Sequence, residues 1–211
     1  LKALKHGADR WRPYHTLYNY YVANNIYDKA LNITQTAARL FEDIYVIGFD
    51  HAMSLLYNGK YDESVRILEK TRILPHEGAG YGRMAWKNAN LLNALNYYSA
   101  KNNRKALVYS SNAYKWPENL GVGRPYNVDE RAEDFISSMI REKMGDRKES
   151  AELLARVADY NDGKPSRGNS INYLSVVALK KLGRSAESEK YFYEWLALFR
   201  NTPRGSGGVK P

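Results

Sequence analysis

Five short stretches of the sequence share one pattern, and this pattern constrains the fold more than any other feature. Each stretch has a turn residue that ends one apolar helical segment and a small residue five positions later in the next segment. The turn residues are Asn25, Gly59, Lys101, Gly145 and Gly183. Their spacings of 34, 42, 44 and 38 residues indicate a unit of 34 residues with insertions between units. The pattern therefore predicts five helix pairs.

Small residues also recur where the paired helices are expected to cross. One series lies seven residues before a turn, at Ala52, Ala94 and Ser138. A second series lies twelve residues after a turn, at Ala37, Thr71 and Ala113. Only short side chains let two helix backbones approach closely, so these positions are interpreted as crossing points. Lysine adopts a left-handed turn less readily than asparagine or glycine, so we expect a different turn geometry at 101–103.

A 34-residue helix pair with small residues at its crossing and a proline near its end resembles the tetratricopeptide repeat. Pro75 and Pro117 follow the second and third turns at the same offset. The resemblance implies an all-α fold, an α-solenoid of about five tetratricopeptide-like helix pairs with enlarged inter-repeat loops. The predicted pairs are 11–24 with 27–40, 43–57 with 61–73, 84–99 with 103–115, 130–144 with 147–160, and 169–182 with 185–200. No segment alternates with a period of two, so strands are not expected.

The repeats predict one repeat domain over residues 11–202. Its units lie near 11–44, 45–86, 87–130, 131–168 and 169–202. Residues 1–10 are interpreted as the end of a preceding linker, and the Gly- and Ser-rich residues 203–211 as a flexible tail. The three longest connections are 75–83, 117–129 and 161–168. In a stacked array they are expected along one rim.

Two of the long connections are rich in glycine, aromatic and charged residues. The first extends from Leu74 to Arg83 and the second from Trp116 to Tyr126. With residues 10–15, they resemble the helical repeat region of large bacterial proteins of unknown function. In those proteins the N-terminal part is a β-rich domain similar to galactose-mutarotase and glycoside-hydrolase sandwiches. The resemblance implies a neighbouring domain and a link to carbohydrate chemistry, without catalysis by the helices.

The candidate binding residues are polar and aromatic side chains of these two connections. They are His76, Glu77, Arg83, Trp116, Glu118, Asn119, Arg124 and Tyr126. In one interpretation they form a pocket for a sugar or a peptide end, with Trp116 or Tyr126 as the stacking plate. In the other, which we favour, Glu77 and Glu118 pair with arginines and hold the enlarged loops in place.

The glycines of the two connections have a structural interpretation. They are Gly78, Gly80, Gly82, Gly121 and Gly123. No strand precedes them and no Lys-Ser or Lys-Thr follows, so a phosphate-binding loop is disfavoured. We expect positive φ at these positions, which lets each loop lie flat against its neighbour.

Patterns typical of catalysis or metal binding are missing from the sequence. The four histidines form no metal-binding set, and the chain has no cysteine. The acidic residues from Asp129 to Asp134 are attributed to the dipole at a helix start. We predict no catalytic residue, no metal and no cofactor, so that this fragment is not an enzyme. For the full-length protein the question stays open.

Charge and hydropathy narrow the range of partners. Of the net charge of +9, residues 1–12 and 199–211 each carry +3, so residues 13–198 carry only +3. This distribution disfavours nucleic-acid binding, and no apolar run reaches the ~18 residues of a membrane span. The compartment is left open, with the cytoplasm slightly favoured.

One known mode of peptide binding is also disfavoured. Tetratricopeptide proteins that grip a peptide carboxylate present Lys, Asn and Arg on successive first helices of their repeats. The equivalent positions here are His15, Asn19, Asp50, Asn88 and Leu92. The chain is thus predicted to be a non-catalytic scaffold that binds another protein or a neighbouring domain. The alternative is an accessory region of a carbohydrate-active enzyme whose active site lies mainly on a missing N-terminal domain, with a carbohydrate as partner.

Overall fold

The structure is a computed structural model that describes residues 8–75, 80–165 and 168–201. Helices and turns make up these ranges, and no strand occurs within them. The ten long helices are α1 (Trp11–Ala23), α2 (Tyr27–Leu40), α3 (Tyr45–Tyr57), α4 (Tyr61–Lys70), α5 (Gly80–Ser99), α6 (Asn103–Ala113), α7 (Arg131–Lys143), α8 (Arg147–Ala158), α9 (Asn172–Lys181) and α10 (Ser185–Asn201). The largest departure from the predicted bounds is at α5, which begins at Gly80 rather than at residue 84.

The chain divides into two compact units. Unit 1 is Leu1–Asn96 with Asn112–Tyr126, and unit 2 is Tyr97–Ser111 with the residues from Asn127 onward. The main core of unit 1 contains Leu68, Trp86 and Leu120, which come from α4, α5 and the loop after α6. The core of unit 2 joins α8, α9 and α10 through Val157, Leu179 and Tyr191.

All five repeat turns have the same left-handed geometry. The φ angles are 57° at Asn25, 73° at Gly59, 59° at Lys101, 88° at Gly145 and 77° at Gly183. In each turn the next residue donates its amide hydrogen to the carbonyl oxygen five positions back, over 2.8–3.0 Å. The prediction of a different geometry at 101–103 was wrong. The hydrogen bonds that end the helix offset the steric cost of the left-handed backbone conformation at Lys101.

The small residues lie where the helices of a pair approach closely. Within the units, a serine five residues after the turn donates its hydroxyl hydrogen to a carbonyl of the preceding helix. These contacts are Ser64 to Ala52 at 2.8 Å, Ser150 to Ser138 at 3.0 Å, and Ser188 to Val176 at 2.8 Å. Ala37, Ala94 and Ala113 are completely buried. The recurring small side chain therefore permits close approach, and as serine it also joins the two helices.

Candidate functional site

The loop after α6 is attached to unit 1 through Asn119. The side-chain amide of Asn119 donates to the carbonyl oxygens of Leu68, at 2.9 Å, and Thr71, at 2.7 Å. The amide of Ile73 donates in return to the carbonyl oxygen of Asn119 over 2.8 Å. The last carbonyls of a helix have no partner inside that helix, so the Asn119 amide supplies one to the end of α4. Asn119 thus has a structural contact that the sequence did not reveal.

The residues after Asn119 fix the loop further. Leu120 is completely buried in the core of unit 1. Gly121 has a φ of 78°, and a Cβ there would lie 2.9 Å from the carbonyl oxygen of Ile73. The positive φ predicted at this glycine is confirmed, and the close approach to Ile73 is a second reason for glycine. Glu118–Leu120, which contains the two attached residues Asn119 and Leu120, forms one turn of 3₁₀-helix.

Gly80 and Gly82 differ from the prediction, because they lie in the first turn of α5 and not in a loop with positive φ. A Cβ at Gly82 would lie 2.6 Å from Cδ1 of Ile73 and 3.1 Å from the carbonyl oxygen of Leu120. Gly82 is therefore required by close packing inside unit 1. Gly123 also lacks a positive φ, while Gly78 lies outside the described residues.

Arg83 and Trp116 form a second anchor of the same loop. Arg83 lies inside α5 and not on a rim loop, since α5 begins earlier than predicted, and only 5% of its surface is exposed. Its guanidinium carbon lies 4.6 Å from the centre of the Trp116 ring, and its Nη2 donates to the carbonyl oxygen of Ala113 over 2.7 Å. A guanidinium over an indole is a favourable cation–π pair. Arg83 covers one face of the proposed stacking plate.

The other candidate residues differ in exposure or lie outside the described residues. Glu118 and Arg124 are exposed, and Tyr126 is 98% exposed. His76 and Glu77 fall in residues 76–79, outside the described part, so the ion pairs predicted for Glu77 are not described. Contacts within unit 1 therefore fix Arg83, Trp116 and Asn119, while the side chains of Arg124 and Tyr126 are exposed. A binding role of these residues stays a prediction.

A polar network that the sequence analysis did not identify lies on α1 and α3 in unit 1. Asn19 Nδ2 donates to Nε2 of His15 over 3.0 Å, which leaves the ring proton on Nδ1 to bond Oδ2 of Asp50 at 2.7 Å. Only 2% of Asp50 is exposed. Burial raises the pKa of Asp50 to about 6, and the hydrogen bond from His15 opposes this rise. From the sequence, all three positions are equivalent to positions of a peptide clamp, but no local pattern indicates that Asp50 lies beside His15, which is 35 residues away.

The acidic cluster at 129–134 has partners in unit 2, so the helix dipole is not a sufficient explanation. Asp129 accepts from Nε of Arg131 at 2.9 Å and from Nη2 at 2.7 Å. The Arg131 side chain is buried and also donates to Asn172 over 2.9 Å. Asp134 accepts two hydrogen bonds from Arg156 at 2.7 and 3.0 Å. The bond from Arg131 to Asn172 connects α7 with α9, and the bonds from Arg156 to Asp134 connect α8 with α7, all within unit 2.

Two solved structures that resemble the chain are described as TPR or TPR-like proteins. The putative kinesin light chain of nearly identical TPR-like repeats from Podospora anserina has a TM-score of 0.55 and 14% identity, with 95% of this chain and 100% of that one covered. YrrB, described as a TPR protein with an unusual peptide-binding site, has a TM-score of 0.50 and 14% identity, with 95% and 92% covered. The fold is that of a tetratricopeptide-type α-solenoid. No protein-family model and no curated protein matches the sequence.

Across residues 8–75, 80–165 and 168–201, no three His, Asp or Glu side chains are grouped in a way that would hold a metal ion. In the same ranges, no helix is both long and apolar enough to cross a membrane.

Proposed function

We propose that the chain is a non-catalytic binding scaffold whose partner is another protein or a neighbouring domain. The observation that carries this proposal is the contrast within residues 116–126. Asn119 and Leu120 in the first half of this loop are held by contacts within unit 1, whereas Tyr126 at its C-terminal end is 98% exposed. Tyrosine and arginine are the residues that most often dominate protein interfaces, and rigid presentation lowers the entropic cost of binding. Arg124 and Tyr126 are accordingly the proposed contact residues.

The polar network of His15, Asn19 and Asp50 supports a binding role of unit 1 in a second way. On α1, His15 is partly exposed and Asn19 is exposed. The hydrogen bond from His15 to the buried Asp50 of α3 orients the imidazole. The side-chain oxygen and the second amide hydrogen of Asn19, which the bond to His15 does not use, are able to bind backbone or side-chain groups of a peptide. The neighbouring-domain form of the proposal rests on the resemblance to helical regions that follow β-rich, carbohydrate-related domains. Such a domain, added in trans, is the first candidate partner to test.

The experiment is a selection from a display library of random dodecapeptides with the purified chain as bait. We expect a consensus that binds the wild-type chain and loses at least about tenfold in affinity on Tyr126→Ala, as at an interface hot spot. Arg147→Ala, at an exposed arginine in unit 2, is the matched control. The proposed function is refuted if the wild-type chain selects no peptide and also does not bind the added domain.

A further inference from the structure

Unit 1 contains a cleft of about 750 Å³ between the connection that follows α2 and the end of α4. The apolar part of its lining includes Phe41, Ile44 and Ile67, and Leu74 at its edge is 66% exposed. Where α3 passes the end of α4, a Cβ on Gly48 would lie 3.0 Å from Oγ1 of Thr71. The cleft has the size typical of a ligand site, and its lining is partly apolar and partly polar.

The charges along the cleft are divided by sign. Glu42 and Asp43 come from the connection between α2 and α3, while Lys70 and Arg72 come from the end of α4 and the residues after it. All four side chains are exposed, and within the described part of the chain none of them has an ion-pair partner. Two negative charges therefore remain available on one side of the apolar residues of the cleft, and two positive charges on the other side.

We propose that this cleft binds a short peptide segment in which apolar residues lie between a basic and an acidic residue. The apolar side chains cover Phe41, Ile44 and Ile67, the basic residue faces Glu42 and Asp43, and the acidic residue faces Lys70 and Arg72. This inference rests on the proposed protein-binding function but uses a different surface from Arg124 and Tyr126.

Charge complementarity favours a peptide over the other classes of ligand. A nucleic acid would bring phosphates toward Glu42 and Asp43, where like charges repel. An uncharged ligand would cover the apolar lining and leave all four charges without partners. A segment with both charges satisfies both sides and the apolar lining together.

The test uses two blocked hexapeptides, Ac-Gly-Lys-Leu-Leu-Glu-Gly-amide and the same peptide with Lys and Glu exchanged, titrated by NMR into the isotope-labelled chain. We expect saturable binding of at least one peptide, with the amide signals of Gly48 and Thr71 shifting. The double variant Lys70→Glu with Arg72→Glu should weaken binding at least about tenfold, because like charges would then face each other. Replacing the glutamate of the peptide by lysine should restore binding to this variant. Exposed surface charges rarely decide folding, and circular dichroism checks that the variant is folded.

Arg66→Glu is the matched control, since Arg66 is exposed on the same helix and does not line the cleft. The inference is overturned if neither peptide binds, if Arg66→Glu weakens binding as much as the double variant, or if the exchanged charge does not restore binding. Should the wild-type chain bind peptides from the library while neither hexapeptide binds, the cleft inference fails and the protein-binding function stands. Absence of every peptide interaction would count against both.

Discussion

The amide of Asn119 gives the end of α4 its hydrogen-bond partners from a position about 50 residues further along the chain. Nothing in the local sequence around Asn119 distinguishes it from an exposed polar loop residue. The sequence did identify the loop as unusual, because it is rich in glycine, aromatic and charged residues. It could not identify the partners, since backbone carbonyls 48 and 51 residues away leave no local pattern. The favoured structural interpretation thus relied on ion pairs, whereas the described contacts are bonds to backbone.

Replacing Asn119 by Ala should destabilise unit 1 by about 1–3 kcal/mol, because two carbonyl groups lose their donor. The variant Glu118→Ala removes an exposed neighbouring side chain and is expected to change the free energy of unfolding by less than ~0.5 kcal/mol. Urea unfolding followed by circular dichroism measures both values. Equal effects of the two substitutions would show that the amide does not hold the loop.

Asp50 predicts a pH dependence of stability. Burial raises the pKa of Asp50 from 3.8 to about 6 in the folded chain, because the buried site disfavours the carboxylate form. The free energy of unfolding is therefore higher while Asp50 is neutral, and it falls as the pH rises from about 4 through about 6. Asp50→Asn removes this titration and keeps an oxygen that accepts from His15. The variant should therefore gain stability relative to wild type as pH rises to 7, by up to about 2–3 kcal/mol.

The measurement for Asp50 is urea unfolding at several pH values between 4 and 7. The control is Asp43→Asn, since Asp43 is an exposed carboxylate in the same unit. A difference between Asp50→Asn and wild type that stays constant across this range would contradict the account.

Helix ends and helix crossings were predictable because their requirements are local and periodic. Left-handed turns, small residues and apolar periodicity repeat in a common frame, and the described helices follow that frame closely. The start of α5 was not predictable in the same way, because Gly80 and Gly82 indicate a loop by their intrinsic preferences. Packing of Gly82 against Ile73 overrides that preference, and this contact is visible only in three dimensions.

The helix crossing in unit 1 predicts a cost of overpacking. Ala52 is completely buried, and its carbonyl oxygen accepts from Ser64 across the crossing of α3 and α4. Leucine at this position should force the two helices apart and destabilise the chain by about 1–3 kcal/mol. Thermal unfolding of Ala52→Leu tests this, with Ala23→Leu at an exposed helix end as the control. A stable Ala52→Leu variant would be incompatible with a tight crossing.

The turn at Lys101 predicts an opposite effect. Its φ of 59° is a strained conformation for lysine, so Lys101→Gly should stabilise the chain by up to about 1 kcal/mol. Lys105→Gly, inside α6, should instead lower stability by about 1 kcal/mol. Chemical denaturation of both variants measures the two signs. A loss of stability on Lys101→Gly would mean that the lysine side chain has a stabilising contact that outweighs the backbone strain.

Of the properties of the complete chain, the fold class is the one that the sequence predicts most firmly. A frame that recurs five times excludes most other architectures, and the solved tetratricopeptide-repeat structures agree with it over 95% of the chain. The binding role is less predictable, because the same fold accepts many partners and only exposed side chains differ. The eight candidate residues illustrate this. Arg83 and Asn119 have structural contacts, while Arg124 and Tyr126 are presented to solvent.

We infer that the inner residues of the 116–126 loop hold the fold and that the outer ones contact a partner. The most direct test measures unfolding free energy and affinity for the library-selected peptide on the same two variants, Trp116→Ala and Tyr126→Ala. We predict that Trp116→Ala lowers the unfolding free energy by ~1 kcal/mol or more through loss of the contact with Arg83. Tyr126→Ala should leave stability within ~0.5 kcal/mol of wild type and weaken peptide binding at least about tenfold. Unchanged peptide affinity in Tyr126→Ala, or unchanged stability in Trp116→Ala, would contradict the claim.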